Sequence, residues 1–176
     1  GISGGEMKLF DYGSTTGVTH IMGQSNVAAA LSADDSTGGN LANKTFTANC
    51  IGTVECYLQY REDQDRIYFS EGAKLRYITT PEVPASSTLK TLFTASRSIH
   101  NFIFSEDKTQ VFYLSDGKLY CKDISSGKSW CNDSALGPTT GMQSIGRGPN
   151  QLTWKNANTL LVSTYYGMIY QYNLLP

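Results

Sequence analysis

Cys50 and Cys56 flank the short loop Ile51-Gly52-Thr53-Val54-Glu55, and Cys121 and Cys131 flank the turn Ser125-Ser126-Gly127-Lys128. Four thiols so placed could form disulfides, bind zinc, or stay reduced and unrelated. There is no C-x-x-C, and His20 and His100 are remote in sequence from both pairs, which weighs against zinc. Cys121 and Cys131 each stand five residues from Ser126. An antiparallel hairpin centred there sets them opposite one another, with Cβ atoms about 4.5–5.5 Å apart, close to disulfide geometry. Pairing near neighbours, Cys50 with Cys56 and Cys121 with Cys131, is the most economical scheme. Two disulfides predict an oxidising compartment, extracellular or periplasmic.

Other reactive groups are sparse. Arg61-Glu62-Asp63-Gln64-Asp65-Arg66 sets three carboxylates between two arginines, which suits a cation or a charged ligand and equally a solvated turn. Arg61 is the ligand-binding candidate from this run. Asp34 and Asp35 lack the spacing of a calcium loop. Neither histidine lies in a nucleophile motif such as G-x-S-x-G, and Gly146-Arg147-Gly148 has neither the third glycine nor the helix of a dinucleotide loop. Aromatic groups stand out more. Trp130, Trp154, Tyr165 and Tyr166 fall at or near strand ends and turns, beside Asn, Gln, Ser and Arg. Rings that stack, with polar groups that orient, suit a glycan or an extended peptide. The competing role for Trp130 and Trp154 is to fill the space between repeated blades of a propeller-like fold. Tyr165 and Tyr166 occupy the turn where other repeats carry Glu71 and Asp116, and strand alternation points at least one outward. Asn43-Lys44-Thr45 and Asn132-Asp133-Ser134 match the N-glycosylation acceptor pattern.

The elements that must position these groups are short strands. Gln110–Cys131 reads as strand, tight turn, strand, tight turn, strand, and the Asp116-Gly117 pair between apolar-rich runs signals a hairpin. The unit recurs. Gly117–Asp123 aligns without gaps on Gly167–Asn173 and on Gly5–Asp11, and, shifted by one residue, on Gly72–Ile78. Glycine spacings of 45 (72 to 117) and 50 (117 to 167) are those of four-stranded propeller blades. The expectation is an all-β, propeller-like single domain over 1–176 with about four blades. Met7–Phe10 would close the ring as the outer strand of the last blade, which removes free edges. The alternatives are a partial propeller or a β-sandwich.

Composition narrows the partners. Net charge is −1 and charged residues are 16%, which argues against nucleic acid, whose phosphates call for a basic face. No apolar run reaches the roughly 18 residues of a membrane span. No signal peptide is visible, and the start Gly1-Ile2-Ser3-Gly4-Gly5 reads as a trimmed or engineered end, which leaves room for a lost leader.

One stretch carries a family likeness. Gly148-Pro149-Asn150-Gln151-Leu152-Thr153-Trp154, then Asn158–Val162 and Gly167–Asn173, resembles one blade of the propellers related to gluconolactonases, strictosidine synthase and the NHL-repeat and YWTD-type proteins. In the lactonase-like members an Asn after a Pro helps hold a catalytic divalent metal, and the resemblance puts Asn150 at that position. Gln151 stands where the pattern has Gly, and the other acidic ligands have no counterpart. Three functions are therefore weighed: a secreted or cell-surface module that binds a glycan or a protein partner, a structural piece of a larger surface protein, and a metal-dependent lactonase or hydrolase. The binding module, with no cofactor, is the leading expectation. A divalent metal enters only with the third.

Overall fold

The computed structural model describes the backbone of β1 (Ile2–Ser3), β2 (Glu6–Phe10), β3 (Val18–Met22), β4 (Ala29–Ala30) and β5 (Lys44–Thr45), and residues 58–79, 88–125, 127–136, 151–163 and 167–174 with side chains, those of residues 58, 60 and 62 excepted. The chain divides into two compact units, Gly1–Thr94 and Ala95–Pro176. The described residues contain no α-helix, only strands and a 3-10 turn at Glu62–Gln64. The all-β expectation holds.

In the first unit, β6 (Leu58–Arg61), β7 (Arg66–Glu71), β8 (Lys74–Thr79) and β9 (Leu89–Thr94) form an antiparallel meander. In the second, β10 (Asn101–Phe104), β11 (Gln110–Ser115), β12 (Lys118–Asp123) and β13 (Asn132–Ala135) form another. The two ladders match at a displacement of 44 residues, since Leu58 faces Phe69 and Phe102 faces Tyr113. The displacement is 44, not the 45 of the glycines, because the hairpin turns differ. Asp116 and Gly117 both take positive φ (45° and 71°), as a type I′ turn requires, whereas in the pair Gly72-Ala73 only Gly72 does (56°), as in type II′. Each turn type asks for its glycine at a different place, so the glycine moves by one while the register holds.

A third meander, β14 (Gln151–Asn156), β15 (Thr159–Ser163) and β16 (Ile169–Asn173), has three strands. Here an expectation is corrected. Met7–Phe10 does not complete this sheet; β2 lies between β1 and β3 in a three-stranded sheet of its own. Both its edges are already paired, and pairing with the nearby Val18–Met22 costs far less loop-closure entropy than a chain-long closure. Among the described residues, no strand of one sheet pairs with a strand of another.

Burial separates the sheets. All six residues of β11 are buried, and five of the six in β7. Strands covered on both faces read as continuous apolar runs. In β14 and β16, alternation returns, as expected of a sheet covered on one face. The second unit's core sits between its two sheets: Phe112, Leu114, Leu119, Cys121 and Cys131 from one, Leu160, Val162 and Tyr172 from the other. Burying a side chain of this size contributes about 1.5–3 kcal/mol.

Candidate functional site

The densest polar grouping surrounds Asp133, in the bulge where β13 slips against β12 between Tyr120 and Lys122. Its φ is 73°, a left-handed value that Asp tolerates better than most residues. One carboxylate oxygen, Oδ1, accepts from the Tyr113 hydroxyl, and Oδ2 accepts from the backbone N–H of Ser96 at 3.0 Å. The Asp133 carbonyl accepts from Arg97 Nη1 at 3.3 Å. The Arg97 guanidinium lies 4.0 Å from the centroid of Tyr120, which stacks on Tyr113 at 5.4 Å. A tyrosine beside a carboxylate can in principle shuttle a proton. Here the phenol is fully buried, and burial first, then the hydrogen bond and charge of Asp133, push its pKa well above the ordinary tyrosine value. It stays protonated and serves as a donor only. Burial works to raise the Asp133 pKa, but the hydrogen bonds from Tyr113 and Ser96 and the charge of Arg97 prevail and hold it below the usual carboxylate value. The group is thus a clasp that pins the 95–97 segment to the outer strand.

Two expectations follow for the clasp. Tyr113→Phe should cost about 1.5–3 kcal/mol at pH 7, the range for a hydrogen bond to a charged group, measured by urea unfolding. Because the folded pKa of Asp133 lies below the unfolded one, its contribution is present above about pH 4 and disappears as the pH falls through the lowered folded value. The gap between Tyr113→Phe and the parent should therefore narrow below that pH. A gap that stays constant down to pH 2 would count against the linkage.

Within the Arg61–Arg66 run, Arg61 is engaged by its near neighbour Asp63. Arg61 is buried, and its Nη2 and Nε donate to Asp63 Oδ2 and Oδ1 at 2.7 and 3.2 Å. Arg66 lies over Tyr77 at 4.5 Å, and the Tyr68 hydroxyl donates to Gln64. The run is a folded-back turn at the β6–β7 junction, with the Arg61 charge engaged by its neighbour. Farther along β7, Glu71 closes the strand inside the sheet rather than in the turn. It pairs with Arg76 of β8 at 2.7 Å, and both are buried. Its second oxygen, Oε1, has no hydrogen-bond partner, and neither has the hydroxyl of Ser115 at the equivalent place in β11.

The open surface lies on the sheet of β14–β16. Leu152, Trp154, Tyr170 and Tyr172 turn toward the inter-sheet core. Gln151, Thr153 and Lys155 of β14 and Ile169, Gln171 and Asn173 of β16 are exposed. Lys155 Nζ donates to Gln171 Oε1 at 3.2 Å, and Gln171 Nε2 donates to Asn173 Oδ1 at 3.0 Å, which holds a row of amides in place. Among the described residues, no group of three or more His, Cys, Asp and Glu could hold a metal ion.

No family model matches this chain, and no curated protein matches it. Among solved structures, one likeness is to the Chaetomium thermophilum heterotrimeric Nup82 NTD–Nup159 TAIL–Nup145N APD complex, at 12% identity and a TM-score of 0.44. It covers 67% of this chain, which spans only 26% of that one. Another is to the computationally designed Ika4 protein, at 15% identity and a TM-score of 0.42, covering 85% of this chain and 91% of that one. Neither likeness is strong enough to carry a statement about this chain's fold family or activity.

The sequence candidates scatter on the structure. Trp154 is half-buried between the sheets, edge-on to Phe112 at 5.3 Å, with its indole N–H donated to the Phe104 carbonyl at 2.7 Å. Trp130 remains 37% exposed, tilted 6.5 Å from the same Phe112. Cys121 and Cys131 form a disulfide with a Cα separation of 4.8 Å, although not as directly facing residues. The ladder pairs Lys122 with Asn132, so the turn centres near Gly127 and Cys131 stands just ahead of β13. Cys50, Cys56, Asn150, Tyr165 and Tyr166 lie outside the described residues. Sequence reasoning missed Asp133, Arg97 and Tyr113 as a group. The one local signal was Asp133 itself, a turn-loving residue in an otherwise short polar strand.

Proposed function

We propose that this chain is a secreted or cell-surface binding module, built of propeller-type repeats related to the gluconolactonase and NHL-like propellers, that recognises a glycan. The observation that carries the reading is the contrast between inside and outside. The clusters around Asp133 and Arg61 are engaged with their own neighbours, whereas the exposed face of the last sheet carries Gln151, Thr153, Lys155, Gln171 and Asn173 beside the single apolar Ile169. Amides supply both donors and acceptors, which matches the hydroxyls of a neutral sugar. Trp130, part-exposed beside a disulfide, offers a ring on which a sugar can stack. The Cys121–Cys131 disulfide is what an oxidising compartment preserves. Among the described residues no helix is long and apolar enough to cross a membrane.

The test is a glycan array probed with the intact chain, followed by titration of any hit against Gln171→Ala and Trp130→Ala. Each variant should weaken binding about tenfold or more, the effect of losing roughly 1.4 kcal/mol. A blank array, or hits indifferent to both substitutions, would sink the glycan reading. A protein partner is the second reading, favoured by the exposure of Met168 (40%) and Ile169 (70%). The lactonase reading requires a metal at Asn150, and metal analysis of the purified chain decides it.

A further inference from the structure

Residues 130–134 alternate between anchored and exposed side chains. Cys131, just ahead of β13, is fully buried and bridged to Cys121. Asp133 is held by the Tyr113 hydroxyl and the backbone N–H of Ser96. In an extended segment, neighbours of an inward residue turn the other way. Trp130, Asn132 and Ser134 are accordingly exposed. The triplet Asn132-Asp133-Ser134 matches the N-glycosylation acceptor pattern. We propose that Asn132 is an N-glycosylation site, whose sugar comes from a lipid-pyrophosphate-linked oligosaccharide of a eukaryotic secretory compartment.

The local geometry suits the transfer. The pattern requires a carboxamide and, two residues on, a hydroxyl. Here Ser134 Oγ donates to Asn132 Oδ1 at 2.7 Å, so both groups stand together on the exposed side. The bond engages the amide oxygen. Among the described residues, the amide nitrogen Nδ2 has no partner and is the atom to be substituted. In the transfer, Nδ2 bonds to C1 of the reducing-end N-acetylglucosamine and gives up one proton to solvent. The bond from C1 to the donor's pyrophosphate oxygen breaks, and the pyrophosphate leaves with its lipid. Nothing is oxidised or reduced.

The fold can also keep the sugar once it is attached. An N-linked glycan is bulky and solvated, so it needs a surface position whose inward neighbours are fixed by something else. The disulfide at Cys131 and the clasp at Asp133 do that on either side of Asn132. The positive φ of Asp133, 73°, lets its carboxylate turn in at the bulge while Asn132 stays out. A glycan on Nδ2 therefore leaves the Tyr113 and Ser96 bonds untouched. The other match, Asn43-Lys44-Thr45, has its asparagine outside the described residues, and the inference concerns Asn132 alone.

The site rests on the secreted half of the reading above and not on its glycan ligand. The neighbouring disulfide is of the kind that the same oxidising compartment preserves. The two ideas therefore fail separately. A glycosylated Asn132 with a blank glycan array keeps the site and sinks the ligand. Array hits with a bare Asn132 do the reverse.

The test produces the intact chain behind a secretion leader in a eukaryotic host. Chain from cells and medium is pooled, so that retention of a variant does not hide the result. It is treated with peptide N-glycosidase in heavy-oxygen water, which converts a glycan-bearing amide to a labelled carboxylate, and position 132 is read by mass spectrometry. The expected result is label at position 132 in most chains. Ser134→Ala should abolish the label, and Ser134→Thr, which restores the hydroxyl, should keep it. Position 134 is exposed, so neither variant disturbs the core. In the glycosylated parent, Cys121 and Cys131 should resist alkylation until reduced. The inference is overturned if position 132 carries no label, if Ser134→Ala leaves the label in place, or if sugar occurs only on chains in which Cys121 and Cys131 react as free thiols.

Discussion

Removing the Cys121–Cys131 cross-link should lower the stability of the Ala95–Pro176 unit by about 3 kcal/mol, the chain-entropy value for a loop of this length. The bridge joins residues ten apart, so the loop it closes is short and the entropy it removes from the unfolded chain is modest but real. Packing adds to it. Both sulfurs lie in the inter-sheet core with Phe112, Leu119, Leu160 and Val162, and neither residue is exposed. A serine hydroxyl at Cys121 would be buried in this apolar cluster, itself a cost of about 1–3 kcal/mol where it finds no partner. Cys131→Ala avoids that second cost, and the difference between the two variants separates cross-link from desolvation. The measurement is urea unfolding of parent and variants, with the parent also run under reductant. If reduction leaves the parent midpoint where it was, the disulfide does not stabilise the unit.

A loss of comparable size is expected at the buried ion pair of the first unit. Arg76 is fully buried and Glu71 nearly so, with Arg76 Nη1 to Glu71 Oε2 at 2.7 Å. Removing either partner leaves the other charge in a medium that solvates it poorly, which costs about 3–5 kcal/mol. Glu71→Leu should therefore unfold this unit at markedly lower denaturant. The double variant Glu71→Leu, Arg76→Met should recover most of that loss, because a desolvated pair is worth little more than apolar groups of similar volume. The prediction fails if the two single losses simply add in the double variant. The partnerless Glu71 Oε1 sharpens it, since the carboxylate is not fully compensated even in the parent. The pair links the end of β7 to the third residue of β8.

Much of this was legible because it is local. The Asp116-Gly117 turn requires positive φ at two positions, and few residue pairs supply it. The β-branched and aromatic run Val111–Leu114 can hardly be anything but a strand covered on both faces. Cys121 and Cys131 are close in the chain, so their pairing survived a register error of one to two residues. The error arose at the Asp133 bulge, which adds a residue to β13. A bulge is chosen by what it lets a side chain reach, here Tyr113 and Ser96, and neither is near Asp133 in sequence. Arg61 illustrates the opposite failure. A charge run reads as available for a ligand, but whether a guanidinium faces solvent or its own neighbour is decided by which side of the turn is buried.

The sequence by itself determined the all-β character, the two-residue hairpin turn at Asp116-Gly117 and the pairing of the described cysteines. Each of these is settled by interactions within about ten residues, where backbone sterics and loop entropy dominate. Only the tertiary structure decided that β2 is enclosed by β1 and β3, that Trp154 is spent between two sheets while Trp130 stays part-exposed, and that Tyr113, Asp133, Arg97 and Ser96 close a clasp. Those outcomes depend on which face of each sheet meets another. A period of two says that a strand has two faces, but not what will cover them.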